Sequence, residues 1–408
     1  MRMQLTARLP SSSSRVCLAC ALVVGVARAQ PVAGPEAPQE PAAVPSSPYV
    51  VHASSEAAEY ADTDHVFVFT PTVAGSVERP GGGWSVNGSY LVDVISAASV
   101  DIVSTASRRW TEVRQAGTLG GTYQLGALGI GANGALSSEP DYLSLAAGLV
   151  LTYDLFDKNV TLLAAYNHGH DIAGRTGTPF SVFSHSINLD NVNAGATFVL
   201  DRATIATALV DADFVNGDTS KPYRYIPLFA PGTHVSPGAS IDTVNALRAS
   251  ERPLEQLPLT RNRYALTFRV AHRFDASTLR LEERLYDDTW ALKATTTDAR
   301  LLFDLSRRVE LGPHLRAYAQ TSVDFWELAY VLQPGLVYPA YRTGDRELGP
   351  LVTGTGGGTL RWGVGPSRAP TQWVLGLDLS ATYTRFLDDL YVTNRTSVLG
   401  GLSIEAEL

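Results

Sequence analysis

Thr278-Leu279-Arg280-Leu281-Glu282-Glu283-Arg284-Leu285-Tyr286 alternates polar and apolar side chains with one interruption. Thr278, Arg280, Glu282, Arg284 and Tyr286 share one parity; Leu279, Leu281 and Leu285 share the other, with Glu283 the exception. A period of two puts each set on its own face of an extended strand. The flanking segments repeat the pattern. Downstream, Asp298, Arg300, Asp304 and Ser306 oppose Ala299, Leu301, Phe303 and Leu305. Next, Arg316, Tyr318, Gln320, Ser322 and Asp324 oppose Leu315, Ala317, Ala319, Val323 and Phe325. Upstream, Arg263, Thr267, Arg269 and Arg273 oppose Tyr264, Leu266, Phe268 and Val270.

Soluble sandwiches alternate as well, so segment length and connection length separate the classes. Segments of roughly 10 to 15 residues suit strands that cross a bilayer at a tilt. Short connections are expected at Asp157–Asn159, Asp201-Arg202, Asp275–Ser277, Glu310–His314 and Gly363–Pro370, and longer ones at Gly169–Ser186, Asn216–Thr260, Asp287–Thr295, Leu332–Glu347 and Leu387–Leu390. Short turns at one end and long loops at the other are the habit of bacterial barrels, whose termini both lie on the short-turn side. The expected fold is all-β: a transmembrane, antiparallel, up-and-down β-barrel. Counting back from the C-terminus gives about sixteen strands, with fourteen as the alternative and the first strand near Val50 to Tyr60. The last strand, Val398 to Leu408, ends on a leucine where barrels usually end on an aromatic residue. Tyr153, Phe156, Tyr264, Phe325, Trp326, Trp373, Tyr383 and Phe386 lie near strand ends and suit interfacial girdles.

The chain opens like a secretory signal. Arg2, Arg8 and Arg15 precede an apolar run from Val16 to Ala27, and Ala27-Arg28-Ala29 offers a small-x-small cleavage site before Gln30. The run is too short for a transmembrane helix, which needs about 20 apolar residues. A retained anchor and a lipoprotein signal ending at Cys20 are the weighed alternatives. Residues 30–48, rich in Pro, Ala and Glu, read as a disordered periplasmic spacer, and 49–408 as the barrel. Both cysteines, Cys17 and Cys20, fall inside the leader, so no disulfide, thiolate metal site or attached haem is expected beyond it. Without the leader's four arginines, 28 basic residues face 40 acidic ones. That balance argues against nucleic acid as a partner.

Chemistry-bearing patterns are few. The polar parity between Arg263 and Asp324 should line the lumen: Arg263, Arg269, Arg273, Arg280, Glu282, Arg284, Asp298, Arg300, Asp304, Arg316 and Asp324. Such a face either sorts solutes by charge or braces the wall through arginine–carboxylate pairs. Asp93, Ser96, Ser99 and Asp101 fall in an expected external loop and suit a Ca²⁺ ion or, more simply, Asx and Ser turns. His168, His170 and Asp171 lack a third ligand at telling spacing and read as a solvated loop entrance. Gly354–Gly358 lacks the Lys-Ser/Thr of a phosphate loop and reads as wall packing. No Gly-x-Ser-x-Gly elbow is present, so no enzyme, cofactor or metal is expected. The Asn216–Thr260 loop is too long for an idle connector. Its Tyr223–Phe229 stretch is apolar, and it should either narrow the lumen, with Arg224, Tyr225 and Phe229 as the constriction, or pack over the mouth.

Several blocks carry a family resemblance. They are Asp93 with Ser96–Ser99; Arg224–Phe229; Arg252–Pro258 with Arg261 and Arg263; Tyr286-Asp287-Asp288-Thr289-Trp290; and Arg316–Gln320 with Phe325. In this order the set resembles the bacterial outer-membrane barrel family of unknown function numbered thirty-five-seventy, over roughly residues 50 to 408. Ala97 stands where the family pattern has Gly, and Ala317 where an aromatic is common. The resemblance implies an outer-membrane barrel and brings no activity. The expected function is a porin-like channel for small polar or anionic solutes in a Gram-negative outer membrane. The alternative is a non-conducting structural or adaptor barrel that anchors or sheathes a surface partner. Outer-membrane lipid is the expected surrounding, and a homo-oligomer or a surface or periplasmic protein stays open as partner.

Overall fold

A computed structural model describes residues 48–97, 110–221, 224–335, 337–365 and 371–408. The expected leader and most of the spacer, and Ser99 and Asp101, lie outside the described residues. From the N-terminal side the strands are β1 (Val50–Asp62), β2 (Phe67–Arg79), β3 (Trp84–Ala97), β4 (Trp110–Leu125), β5 (Leu128–Glu139) and β6 (Tyr142–Leu155). There follow β7 (Val160–Gly174), β8 (Ser184–Val199), β9 (Thr204–Gly217), the two-residue β10 (Leu228–Phe229) and β11 (Thr260–Arg273). The rest are β12 (Ser277–Asp288), β13 (Lys293–Ser306), β14 (Val309–Gln320), β15 (Tyr330–Val331), β16 (Leu351–Val364), β17 (Gln372–Phe386) and β18 (Asn394–Glu407). One short helix, α1 (Ile241–Leu247), is capped by Ser240, whose hydroxyl accepts from the Thr243 N–H.

All strands but β10 and β15 close into one antiparallel barrel of sixteen, and β1 pairs with β18 from His52↔Glu407 to Asp62↔Ser397. Closure removes the free edge that an open sheet leaves, so each barrel strand has a hydrogen-bonding neighbour on both sides. Strands of 12 to 16 residues, tilted as in such barrels, make a wall about 35 Å tall, enough for an apolar band of about 25 Å.

One side-chain parity forms that band. Val73, Val86, Leu119, Leu149, Val210, Phe268, Leu281, Leu315, Leu377 and Leu402 all stand exposed on the outer face. A contiguous apolar surface of this extent is incompatible with water and suited to lipid. The other parity turns inward and is dominated by Ser, Thr, Asn, Asp, Glu and Arg. The barrel is therefore of the transmembrane type, with its apolar side chains on the outer face instead of in a buried core.

Several connections differ from expectation: Gly169–Ser186 shrinks to 175–183 and Asp287–Thr295 to 289–292, the rest being strand. Glu310–His314 is not a turn: β14 begins at Val309, and the tight turn is Arg307-Arg308. Gly312 and Pro313 resemble turn residues, yet both pair with β16 (Gly312↔Thr359, Pro313↔Gly358). Asp324 lies beyond the end of β14 at Gln320, exposed in the following loop rather than on the wall.

Candidate functional site

The lumen wall is built by register. Across β11 and β12 the inward pairs are Arg263↔Asp288, Thr267↔Arg284, Arg269↔Glu282 and Ala271↔Arg280. Across β12, β13 and β14, Arg280 faces Arg300, Glu282 faces Asp298, Asp298 faces Arg316 and Arg300 faces His314. Strand geometry thus gathers the arginines scattered from Arg263 to Arg316 onto one sector of the wall.

Most of these charges are spent on neighbours. Arg269 pairs with Glu282, and Arg273 with Asp304. Arg284 Nη1 lies 3.2 Å from Asp211 on β9. Arg300 Nε lies 3.3 Å from Asp298, which also takes a 2.7 Å contact from His314 Nε2. Arg280 and Arg316 differ, making no ion pair or hydrogen bond among the described residues, and Arg280 is exposed to the lumen. Arginines placed directly across from each other, as Arg280 and Arg300 are, repel in the absence of an anion. Along the wall, Glu56, Asp378 and Glu405 occupy the inner faces of β1, β17 and β18, with Glu405 2.7 Å from Arg361. The β3–β8 sector is lined mainly by hydroxyls and amides, as in Ser85–Thr122 and Ser89–Thr118 at 2.7 Å and Asn167–Asn191 at 3.1 Å.

Over the opposite end from the termini lies a cap made by two long connections, 218–259 and 321–350. Leu228-Phe229 pairs in parallel with Tyr330-Val331, and Gln256 exchanges backbone hydrogen bonds with Arg342 at 3.0 and 2.9 Å. Phe229, Val235, Val244 and Leu390 form one small core, Ile226, Leu228 and Tyr330 a second, and Leu257, Trp290, Leu292, Val323 and Leu348 a third. Arg224 is buried between Glu255 (3.0 Å) and Asp345 (3.1 Å), whose negative charges hold its guanidinium above its ordinary range despite the opposing effect of burial. Glu255 also accepts from the Thr343 hydroxyl at 2.7 Å and the Lys221 N–H at 2.8 Å.

The cap is tied to the rim at separated points. Arg346 Nη2 meets Asp64 of the β1–β2 turn at 2.6 Å, and Arg395 Nη1 of β18 meets Glu347 at 3.0 Å. The Gly238 N–H donates to Asp389 O at 2.9 Å in the β17–β18 connection. Between that connection and the roots of the loop on β9 and β11 lie β12, β13, β14 and β16. The 218–259 loop therefore crosses the mouth instead of folding back beside its own strands. Arg224 and Phe229 accordingly point into the cap interior, not into a passage, because an apolar run lowers its free energy most by burial in its own core. Tyr225 lies under Arg252, 5.7 Å from its guanidinium.

The Tyr286–Trp290 block has a structural task. Asp288 receives Arg261 Nε at 2.8 Å, the Tyr286 hydroxyl at 2.8 Å and the Trp290 N–H at 2.9 Å. Arg261 lies 4.2 Å over the Trp290 ring, whose Nε1 donates to Thr260 O at 2.9 Å. Asp93 is also corrected: it belongs to β3, buried on the inner face, and is held by Arg114 (2.5 Å) and Thr70 (2.6 Å). Its carboxylate is thus engaged within the wall and not in a loop, while Ser99 and Asp101 lie outside the described residues. Glu112, Glu139 and Asp141, which sequence reasoning passed over because β4 and β5 separate them, bring ligand oxygens within 4.8 Å of one another at the rim. His168 and His170 turn outward, 2.8 Å from Asp190 and Asn188 respectively.

The family described as "Protein of unknown function (DUF3570)" matches residues 94–369. The chain belongs to the DUF3570 family. No curated protein matches the sequence. Among solved structures, this DUF3570 barrel is similar to CdiB from Acinetobacter baumannii, with 9% identity and a TM-score of 0.45 over 88% of this chain and 60% of that one. A bacterial polysaccharide outer membrane secretin gives 10% identity and 0.42 over 87% and 97%. The toluene transporter TodX of Pseudomonas putida gives 11% and 0.37 over 88% and 88%.

Proposed function

We propose that this DUF3570 barrel resides in the outer membrane of a Gram-negative bacterium and conducts small polar or anionic solutes through an arginine-bearing lumen. The observation that carries this reading is the pair Arg280 and Arg316. Wall-bracing arginines are neutralised by carboxylates, as Arg269, Arg273 and Arg284 are. Arg280, opposite Arg300, and Arg316, which faces Asp298 without bonding to it, leave positive charge to meet a solute. The cap lies over the β11–β18 side of the mouth, where it would narrow the entrance to such a channel.

A second reading, a non-conducting adaptor barrel, is favoured by the cap's buried cores and rim ties. Single-channel recording on the purified protein in a planar bilayer under a salt gradient separates the two. Stepwise openings whose reversal potential favours anions, weakened in an Arg280→Ala/Arg316→Ala variant, support the channel. A folded, heat-modifiable barrel that never conducts replaces it with the adaptor.

A further inference from the structure

Arg280, Arg300 and Arg316 carry more positive charge into the lumen than their neighbours neutralise. Arg280 faces Arg300 across β12 and β13, Arg300 faces His314 across β13 and β14, and Arg316 follows His314 on the same strand face. Asp298 takes Arg300 through Nε alone, at 3.3 Å, and His314 Nε2 at 2.7 Å. Glu282 is committed to Arg269. The guanidiniums of Arg269, Arg280, Arg300 and Arg316 thus face the carboxylates of Glu282 and Asp298, which leaves positive charge uncompensated. Guanidinium forks grip a polyatomic oxyanion through paired N–H groups, a fit that a compact halide cannot use.

The opposite wall has the reverse character. In the closed ring of sixteen strands β4 lies eight strands from β13 in both directions, so β3, β4 and β5 confront β12, β13 and β14. The inner faces of β3 and β4 carry Ser85, Asn87 and Ser89 against Thr122, Gly120 and Thr118. These residues and the three arginines all lie within seven residues of the strand ends on the side of the termini, counted from Trp84, Leu125, Ser277, Ser306 and Val309. The two rows therefore share a level. The inner faces of β3, β4 and β5 carry no ionisable side chain there; the first, farther up, are the paired Asp93 and Arg114 and, on β5, Glu139. Asn87 makes no hydrogen bond among the described residues. A Cβ at Gly120 would stand 3.2 Å from Asn87 Oδ1, so the glycine keeps room for that amide. Each bonded hydroxyl pair, Ser85–Thr122 and Ser89–Thr118, keeps a proton and lone pairs for a further partner.

We infer that the lumen holds a saturable site for an oxyanion carried on a hydroxylated carbon frame, as in a sugar phosphate or a sugar acid. The anionic group sits on Arg280, Arg300 and Arg316. The hydroxyls of the frame exchange hydrogen bonds, directly or through water, with the Asn87 wall. Arginine rows of this kind select anions in pores, and a neutral polar wall admits the rest of the solute without competing for its charge.

The inference deepens the channel reading and rests on it, and two readouts keep their failures apart. The full chain is expressed and the barrel purified in detergent. Binding of glucose 6-phosphate, glucuronate, glucose and inorganic phosphate is measured by calorimetry, and the same solutes are tested as blockers of chloride current in a planar bilayer. Both anionic sugars should bind and block, with inorganic phosphate weaker than glucose 6-phosphate and glucose about tenfold weaker than either sugar anion. The Arg280→Gln/Arg300→Gln variant should weaken the anionic sugars about tenfold while the barrel stays heat-modifiable. Asn87→Ala should bring glucose 6-phosphate down toward inorganic phosphate. A preference for glucose 6-phosphate marks the anion as a phosphate ester, and one for glucuronate as a carboxylate. Binding without any current keeps the site and overturns the channel. Chloride current with neither binding nor block, or block that survives Arg280→Gln/Arg300→Gln, overturns the site alone. Inorganic phosphate binding as tightly as glucose 6-phosphate overturns the hydroxylated frame.

Discussion

Arg284 and Arg280 stand four residues apart on one strand face and have opposite surroundings. Arg284 reaches Asp211 and the Thr267 hydroxyl, 3.2 and 3.4 Å away, whereas Arg280 faces Arg300 across the ladder. Arg284→Ala strips Asp211 of its partner in a part-buried setting and should cost about 1–3 kcal/mol in a urea refolding titration, with a small change in ion selectivity. Arg280→Ala removes a repulsion instead. Its stability should stay within about 0.5 kcal/mol of wild type while the reversal potential moves toward cations. Tyr330 gives a residue-scale pH dependence in the cap. Burial foremost pushes its phenol up to about 12. A folded value above the unfolded one, near 10, means that its stabilisation is whole below about pH 10 and is lost as pH climbs toward the folded value. Protease nicking of the cap should therefore stay constant to about pH 10 and rise above it, and Tyr330→Phe should flatten that alkaline limb.

At the scale of elements, the cap is a small folding unit set on a larger one. Phe229 is fully buried in a core shared with Val235, Val244 and Leu390, so Phe229→Ala should cost the cap about 3–5 kcal/mol. Limited proteolysis should cut the 218–259 connection readily in that variant and leave the barrel's heat-modifiable band intact. The wall does not need the cap for its register, because β9 and β11 pair continuously from His272↔Thr204 to Thr260↔Asn216. Exchanging 218–259 for a short Asn-Gly turn should thus preserve the barrel and raise unit conductance in the bilayer.

For the whole molecule, closure is the decisive property. β18 pairs with β1 on one side and β17 on the other, so removing Val398–Leu408 exposes two ladders at once. In lipid an unpaired strand edge costs several kcal/mol per orphaned group. That truncation should abolish heat-modifiability and send the chain to degradation, which immunoblotting of the membrane fraction would record. Truncation of exposed cap residues should do neither.

The two-residue period at Thr278–Tyr286 and its neighbours determined the inward face of Arg263 through Arg316, because alternation is a local property that each strand writes for itself; segment and connection lengths added the barrel and a count of about sixteen strands, with fourteen left open. Turn chemistry was a weaker guide. Gly312-Pro313 reads as a turn in sequence, yet pairing with β16 overrode it, and Asp324 continued a parity past the strand's end. Only the tertiary structure decided which arginines are neutralised, since Arg284 meets Asp211 from 73 positions away in sequence. It also decided that Arg224 and Phe229 build a cap, and that Glu283, an irregularity in the alternation, stands on the outer face of the barrel. Each of these depends on which strands become neighbours and where a long loop comes to rest. Those outcomes are set by closure of the whole sheet and by burial across distant segments, not by any single stretch of chain.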